Sequence, residues 1–232
     1  MILYVNGDSH SAGAEAVNTF CFAEDDPLYY ALGRQPHPDN IKASYGCEIA
    51  NQLYAILHVD AESASSNDRI IRTTREYLKE TTPDLVIIGW SSWEREEWLY
   101  DGIYWQINAG GIGEDWPTTI KDRYKQWITS VNYQQKQQEI HAKIWQLHTD
   151  LGQIPHLFFN CFNSFTCAPL NWGLSYINPY DPAYTYSNWL TTKGYKTVAK
   201  GNYHFGEDAH RAWAEFLIPH LTNVINESII TT

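Results

Sequence analysis

A serine follows the first apolar segment of the chain in a position that suits nucleophilic chemistry. The segment Ile2 to Val5 is predicted to be a β-strand, and it leads directly into Gly7, Asp8 and Ser9. A glycine permits a tight turn out of a strand, and a serine at such a turn presents its hydroxyl to the crevice at the sheet edge. To attack a carbonyl carbon, the hydroxyl needs a base within hydrogen-bond reach and donors for the oxyanion.

Small polar residues also follow the other predicted strands. Short apolar strands alternate with helical segments, which predicts a parallel sheet between two layers of helices, an α/β fold of the three-layer α/β/α type with flavodoxin-like topology. Sites in such open sheets lie beyond the carboxyl ends of the strands. The residues predicted at that edge are Asn6 to His10, Glu62 to Asn67, Gly89 to Ser92 and Asn160 to Asn163.

The elements that position these residues follow from apolar spacing. Strands are predicted at Ile2 to Val5, Ile56 to Ala61, Leu85 to Ile88 and Pro155 to Cys161, and helices at Ser44 to Leu57, Asn67 to Glu80 and Glu207 to Leu217. Helical spacing also occurs at both ends of Thr118 to Leu151, whose Gln-rich centre is either an exposed helix surface or a break between two helices. Pro219 is predicted to kink or end the last helix.

The length of 232 residues favours one domain over residues 1–232. An irregular, aromatic-rich insertion is expected around residues 94–117, and a long loop around residues 162–203. The sequence shows no internal repeat and no linker that would divide the chain.

Composition narrows the classes of partner. The formal charge is −11 and 44% of the residues are hydrophobic, so we expect a folded, acidic protein with neither a nucleic-acid nor a membrane partner. The four cysteines form no CxxC pair and there is neither a basic, apolar leader nor a membrane span, which favours a cytoplasmic location. We expect no cofactor and no metal, and the oligomeric state stays open.

These features together resemble the SGNH (GDSL-like) hydrolases, in particular divergent members encoded by bacteria and phages; a phage-encoded protein could be virion-associated. That superfamily includes esterases, lipases and carbohydrate deacetylases. The resemblance rests on Gly7-Asp8-Ser9 after the first strand, on His204 just before the last helix, and on the runs Ser66 to Ile70 and Asp84 to Ser92. It implies that Ser9 is the nucleophile and His204 the base. His210, one turn inside the helix, is the alternative base.

The chain departs from the family pattern beside its histidine. The family carries an aspartate three residues before the histidine to hold the ring, and Gly201 stands there. Asn202, Asp181 or a backbone carbonyl is expected to orient the ring instead. This group matters because loss of the orienting aspartate in a serine protease lowers the rate by about 10⁴.

The oxyanion donors differ as well. The resemblance implies that two backbone N–H groups hold the oxyanion. One belongs to Ser9 and the other to the turn at Ala64, Ser65 or Ser66. Where the family supplies an asparagine side chain, this chain has Ser91, and Asp8 is expected to support the site. The nearby amides that could compensate are Asn67, Asn160 and Asn163.

The resulting hypothesis is a metal-independent esterase that cleaves a carboxylic ester on a small molecule or carbohydrate. Aromatic loops and the acidic surface favour an O-acyl group on a carbohydrate. One alternative is a non-catalytic carbohydrate-binding or structural protein with the same fold. The other is a metallophosphoesterase, suggested by Asp8-Ser9-His10, but a two-metal site needs a bridging carboxylate after the next apolar strand, and Gly89 is followed by Trp90.

Overall fold

A four-stranded parallel sheet forms the centre of the protein. The computed structural model describes residues 1–21, 36–113 and 116–230. Its strands are β1 (Ile2–Gly7), β2 (Ile56–Val59), β3 (Leu85–Trp90), β4 (Glu96–Tyr100), β5 (Ile103–Ile107) and β6 (His156–Asn160). The central sheet has the order β2-β1-β3-β6 with every pair parallel, and β4 pairs antiparallel with β5 in a separate hairpin.

Helices cover both faces of this sheet. They are α1 (Pro38–Lys42), α2 (Tyr45–Gln52), α3 (Asn67–Glu80), α4 (Thr118–Ser130), α5 (Tyr133–Leu151), α6 (Tyr186–Thr192) and α7 (Glu207–Ile230). Successive side chains of a strand point to opposite faces, so Leu3 and Val5 pack with α2, α6 and α7, while Tyr4 packs with α3 and α5. The arrangement confirms the predicted three-layer α/β/α fold with a parallel sheet.

The aromatic-rich insertion forms a hairpin and a helix with a small core of their own. The β4–β5 hairpin packs on α4 around Trp98, Ile107, Trp116, Ile120 and Tyr124. Arg72 of α3 holds the hairpin by two hydrogen bonds to the Glu97 carboxylate, at 2.8 and 2.9 Å. Positions 114 and 115 of this insertion lie outside the described residues.

Two predicted helices end elsewhere in the structure, and of the two alternatives for the Gln-rich segment the structure has the break. The first helix of the Ser44 to Leu57 segment ends at Gln52, because Ile56 pairs with Ile2 and extends the sheet. The Gln-rich segment 118–151 is broken, and the side chain of Asn132 caps the start of α5. The last helix continues through Pro219 to Ile230, since Leu221 and Val224 beyond the proline are buried in the core.

No helix among the residues that the structure describes is long and apolar enough to cross a membrane.

Candidate active site at the carboxyl edge of the sheet

The turn after β1 can be made only with glycine. Gly7 has φ +154°, and a Cβ there would lie 2.1 Å from Ser11 Oγ and 2.8 Å from the carbonyl oxygen of Gly89. Both neighbours are buried, Ser11 in the turn after β1 and Gly89 in β3. The turn therefore delivers residues 8–10 to the carboxyl edge of the sheet, as the sequence predicts.

Asp8 is a fully buried carboxylate that ties three segments together. Its Oδ1 accepts hydrogen bonds from the backbone N–H and the ring Nδ1 of His10, both at 3.0 Å. Its Oδ2 accepts from Ser91 Oγ at 2.9 Å and from Arg95 Nη1 at 3.1 Å. Burial alone would raise the pKa of the Asp8 carboxyl, but His10 and Arg95 hold that pKa well below its usual range. Asp8 is therefore an anion that organises the edge.

Ser9 is 5% exposed. Its carbonyl oxygen accepts from the N–H of Ala14 at 2.9 Å, which fixes the turn. Within the described part of the chain, neither its hydroxyl nor its backbone N–H has a hydrogen-bond partner. Both groups are therefore free to interact with a ligand.

His204 lies at the same edge, and its ring is held by a carboxylate. Ring Nδ1 hydrogen-bonds to Oε2 of Glu15. Asn202 closes the arrangement: its Nδ2 donates to the same Glu15 oxygen, and its Oδ1 accepts from the His204 backbone N–H, both at 2.8 Å. With Nδ1–H donated to the carboxylate, the lone pair of His204 lies on Nε2.

His204 is neutral at pH 7 despite its pairing with Glu15. Burial and the charge of His10 lower the pKa of His204, and together they outweigh the raising effects of Glu15 and Asp8. For Glu15 itself, burial raises the pKa, but the hydrogen bonds from His204 and Asn202 outweigh burial, so the pKa is lower than usual. A neutral imidazole beside an ionised carboxylate is the state that a general base requires.

Glu15 was not predicted from the sequence, and it corrects the expectation for the orienting group. Asp181 instead caps a short 3-10 helix, where its Oδ1 accepts from the N–H of Ala183 at 2.9 Å. Asn202 orients the loop and the carboxylate rather than the ring. Glu15 has φ 61°, a left-handed conformation that disfavours most non-glycine residues. Because that strain is invisible in sequence and no motif marks Glu15, only the folded chain reveals it.

His10 connects the two halves of the site. Its ring centroid lies 5.5 Å from that of His204, and its Nε2 lies 3.1 Å from the carbonyl oxygen of Tyr203. Both ring nitrogens of His10 face acceptors, Asp8 Oδ1 on one side and the carbonyl oxygen of Tyr203 on the other. The edge thus combines cationic Arg95, anionic Asp8, neutral His204 and anionic Glu15 around this ring.

Ser9 and His204 lie at this edge without a direct hydrogen bond. The hydroxyl of Ser9 makes no hydrogen bond to His204 in the described structure. Catalytic hydrogen bonds are often long in ligand-free proteins and shorten only when substrate is bound.

Only one of the three candidate turn amides is free to donate to an oxyanion. The N–H of Ser65 donates to the carbonyl of Glu62 at 3.1 Å, and that of Ser66 to Gln106 Oε1 of β5 at 2.6 Å. The N–H of Ala64 has no partner within the described residues. Ala64 has φ 67°, a conformation typical of the glycine that the family resemblance implies at this turn.

The predicted side-chain donors are occupied by structural bonds. Asn67 donates Nδ2 to the carbonyls of Ser91 and Ser92 at 3.1 and 3.3 Å, and its Oδ1 accepts from the Ser91 N–H at 2.9 Å. The Ser91 hydroxyl donates to Asp8, and Asn160 donates to the carbonyl of Pro179 at 3.2 Å. Asn67 and Ser91 therefore shape the edge rather than face a ligand.

Two groups of potential metal ligands occur within the described residues: Asp8, His10 and Cys161, and Glu15, Cys21 and His204. In the first group, burial raises the pKa of the Cys161 thiol well above its usual value, so the thiol is protonated and a poor ligand. In the second, the hydrogen bond between Glu15 and His204 already accounts for their proximity. We assign a metal to neither group.

No protein-family model and no curated protein sequence matches the chain. An acetyl xylan esterase from the rumen bacterium Butyrivibrio proteoclasticus is 13% identical with a TM-score of 0.48, over 97% of this chain and 64% of that one. A carbohydrate esterase family 2 enzyme plus carbohydrate-binding domain, from Corynascus thermopiles (Myceliophthora fergusii), is 14% identical with a TM-score of 0.48, over 97% and 66%.

A third solved structure, of a carbohydrate esterase whose active site displays divergent catalytic and non-catalytic binding functions, is 15% identical with a TM-score of 0.46, over 95% of this chain and 64% of that one. The chain spans slightly less than two thirds of the length of each of these solved chains. The function proposed below rests on the chain's own residues.

Proposed function

We propose that the protein is a serine hydrolase that cleaves carboxylic esters. The observation that carries this proposal is the histidine–carboxylate pair formed by His204 and Glu15, beside a serine whose hydroxyl has no partner within the described residues. A neutral imidazole held by a carboxylate is the base that a serine nucleophile needs. The SGNH-like order of elements, with Ser9 after the first strand and His204 before the last helix, supports the same assignment.

In the first half of the reaction, Nε2 of His204 takes the proton of the Ser9 hydroxyl while Oγ attacks the ester carbonyl carbon. The carbonyl oxygen becomes an oxyanion, which the N–H groups of Ser9 and Ala64 stabilise. The tetrahedral intermediate then collapses: the bond to the alcohol oxygen breaks, and the alcohol leaves with the proton from His204. Glu15 stabilises the imidazolium that forms in between.

In the second half, water repeats the sequence on the acyl-enzyme. His204 takes a proton from the water, whose oxygen attacks the acyl carbon, and the Ser9 oxygen leaves and regains the proton. The products are a carboxylic acid and the free enzyme. No cofactor is required for either half, because each proton removed is returned through His204.

A groove beside the site supports a carbohydrate as the part that carries the ester. This groove of about 470 Å³ is lined by aromatic rings and side-chain amides, including Trp93, Tyr133, Gln134, Phe162 and Asn163. The ring of Phe162 also lies 4.5 Å from that of His10, so the groove borders the site. Aromatic faces and neutral amides suit the apolar faces and hydroxyls of a sugar. An O-acylated glycan is therefore the proposed substrate class.

One observation favours a second candidate function, a carbohydrate-binding protein without catalysis. The hydroxyl of Ser9 has no hydrogen bond to His204 in the described structure. A chain that retained the groove and lost the chemistry would bind the glycan and leave the ester intact.

The test is hydrolysis of p-nitrophenyl acetate and of acetylated xylan by the wild type, Ser9→Ala and His204→Ala, each with and without EDTA. We expect both substitutions to abolish detectable turnover, since general-base catalysis alone contributes about 10²–10⁴ and the nucleophile more. We expect EDTA to have no effect.

Two controls separate loss of chemistry from loss of fold. Ser63→Ala removes a buried hydroxyl in a neighbouring turn that has no partner within the described residues, and should retain activity. His210→Gln tests the alternative base. His210 is buried, and burial lowers its pKa to about 3, so we expect this variant to be less stable while the folded protein keeps its activity. A fully active Ser9→Ala protein would refute the mechanism, and inhibition by EDTA would indicate a metal enzyme.

A further inference from the structure

The proposed site lacks a side-chain donor for the oxyanion. The two free backbone N–H groups belong to Ser9 and Ala64. The side chains predicted to complete the set, Asn67 and Ser91, are committed to structural hydrogen bonds. Since removal of one oxyanion donor lowers kcat by about 10²–10³ in a serine protease, a third donor at this edge would matter.

Arg95 lies where the three strand-end loops meet. Its Nη1 donates to Asp8 Oδ2 at 3.1 Å in the loop after β1, and to the carbonyl of Ser65 at 3.4 Å in the loop after β2. The same atom donates to Ser91 Oγ at 2.8 Å in the loop after β3. The guanidinium is thus adjacent to both loops that carry the free backbone N–H groups.

The remaining donors of Arg95 are unused within the described residues. A guanidinium has five N–H groups, and the bonds above use only those on Nη1. Its side chain is 18% exposed, and the guanidinium carbon lies 5.9 Å from the centroid of the Phe162 ring, which lines the groove. The free Nε and Nη2 groups are therefore on a half-buried cation that borders the space for a ligand.

We propose that Arg95 is a catalytic residue that donates a hydrogen bond to the oxyanion, in place of the asparagine that the family resemblance implies. The inference rests on the proposed serine hydrolase function. Asp8 holds the guanidinium through Nη1, so its orientation is set before substrate binds. A charged donor forms a stronger hydrogen bond to an oxyanion than a neutral amide does, because the bond is charge-assisted.

The experiment compares steady-state kinetics of Arg95→Ala, Arg95→Lys and Ser91→Ala on p-nitrophenyl acetate. We expect Arg95→Ala to lower kcat by about 10²–10³ with little change in KM, because the bond forms only in the transition state. Arg95→Lys keeps the charge beside Asp8 but loses the planar fork, so its kcat should fall between the two. Ser91→Ala should cost much less, since that hydroxyl serves Asp8.

Chemical rescue tests whether the guanidinium group itself is required. Guanidinium chloride at millimolar concentration should restore part of the kcat of Arg95→Ala and none of that of Ser9→Ala. Arg75→Ala, which removes an arginine paired with Asp150 on the surface, is the matched control and should keep wild-type kinetics. Thermal unfolding of each variant shows whether it is folded.

The outcomes distinguish the two proposals. An active wild type with an inactive Ser9→Ala, combined with wild-type kcat in folded Arg95→Ala, would overturn the role of Arg95 and leave the esterase intact. A Ser91→Ala loss as large as that of Arg95→Ala would assign the donor to Ser91. A wild type without esterase activity would overturn both proposals.

Discussion

Two pairs of neighbouring histidines lie at opposite edges of the sheet, and they differ in their partners. At the carboxyl edge, His204 hydrogen-bonds to Glu15 and His10 to Asp8. At the amino edge, His148 Nδ1 lies 2.7 Å from His156 Nε2, and His156 Nδ1 lies 2.7 Å from the carbonyl oxygen of Ile154. The second pair is satisfied by two neutral rings, each donating one N–H.

The comparison shows that a carboxylate, rather than burial, makes a histidine suitable for proton transfer. Burial lowers the pKa of His204 and of His156 alike, and His156 reaches about 4 with the charge of His148 contributing. Of His204 and His156, His204 is the one whose ring hydrogen-bonds to a carboxylate, which would stabilise its protonated form. The amino-edge pair is neutral at pH 7, and its rings hydrogen-bond to each other and to the backbone.

Removal of the carboxylate from the carboxyl-edge pair should have the largest effect. We expect Glu15→Gln to lower kcat by up to about 10⁴, as loss of the orienting carboxylate does in a serine protease. Because Glu15 raises the pKa of His204, its loss should also move the acid limb of kcat/KM to lower pH. A pH profile of the variant measures both effects, with Glu139→Gln, an exposed glutamate on α5, as the control. An unshifted acid limb would show that Glu15 does not affect the pKa of the catalytic base.

The amino-edge pair should instead contribute to acid stability, together with the buried His210. The folded pKa of His156 lies below its unfolded value of 6.5, so the unfolded state binds more protons and stability falls as the pH drops from about 6.5 to about 4. The loss is about 3 kcal/mol at 1.36 kcal/mol per pH unit. His156→Gln cannot titrate, so urea unfolding at a series of pH values should show a flatter acid limb. An acid limb as steep as the wild type's would show that other groups cause the loss.

The smallest effect is expected from His10, whose ring centroid lies 5.5 Å from that of His204. His10 lowers the pKa of His204, so His10→Gln should move the acid limb of kcat/KM to higher pH, opposite to Glu15→Gln. The rate at neutral pH should fall only about tenfold, since the base and its carboxylate stay in place. Shifts in the same direction for both variants would contradict the opposite effects of His10 and Glu15 on the pKa of His204.

Much of the fold was predictable because it depends on local pattern. Leu85 to Ile88 are four consecutive aliphatic residues, and all are fully buried in β3. The β4–β5 hairpin also has a signal in its sequence: Asp101 and Gly102 have φ 50° and 75°, the conformations that favour Asp-Gly in a two-residue turn. The helix predicted to run to Leu57 ends earlier because Ile56 pairs with Ile2 in the sheet. This pairing is a tertiary contact, which local apolar spacing does not reveal.

The site was predictable only in part, because its hydrogen bonds join distant residues. Ser9 and His204 could be proposed from their places beside a strand and a helix. The hydrogen bond between Glu15 and His204, which are 189 residues apart, could not be predicted. The same holds for the hydrogen bonds between Asn67 and Ser91 that leave the Asn67 side chain occupied. Sequence indicates which polar groups are present, but which of them remain free depends on every other bond in the fold.

The acidic surface of the chain also has a consequence for how substrates arrive. The whole chain carries a formal charge of −11. A neutral acylated sugar has no net charge on which that field can act, so its association rate should be indifferent to ionic strength. A sulfated or uronate-bearing chain would be repelled by the acidic surface before it reached Ser9, and salt would relieve that repulsion. Discrimination between neutral and acidic glycans would then begin in solution, before any contact in the groove.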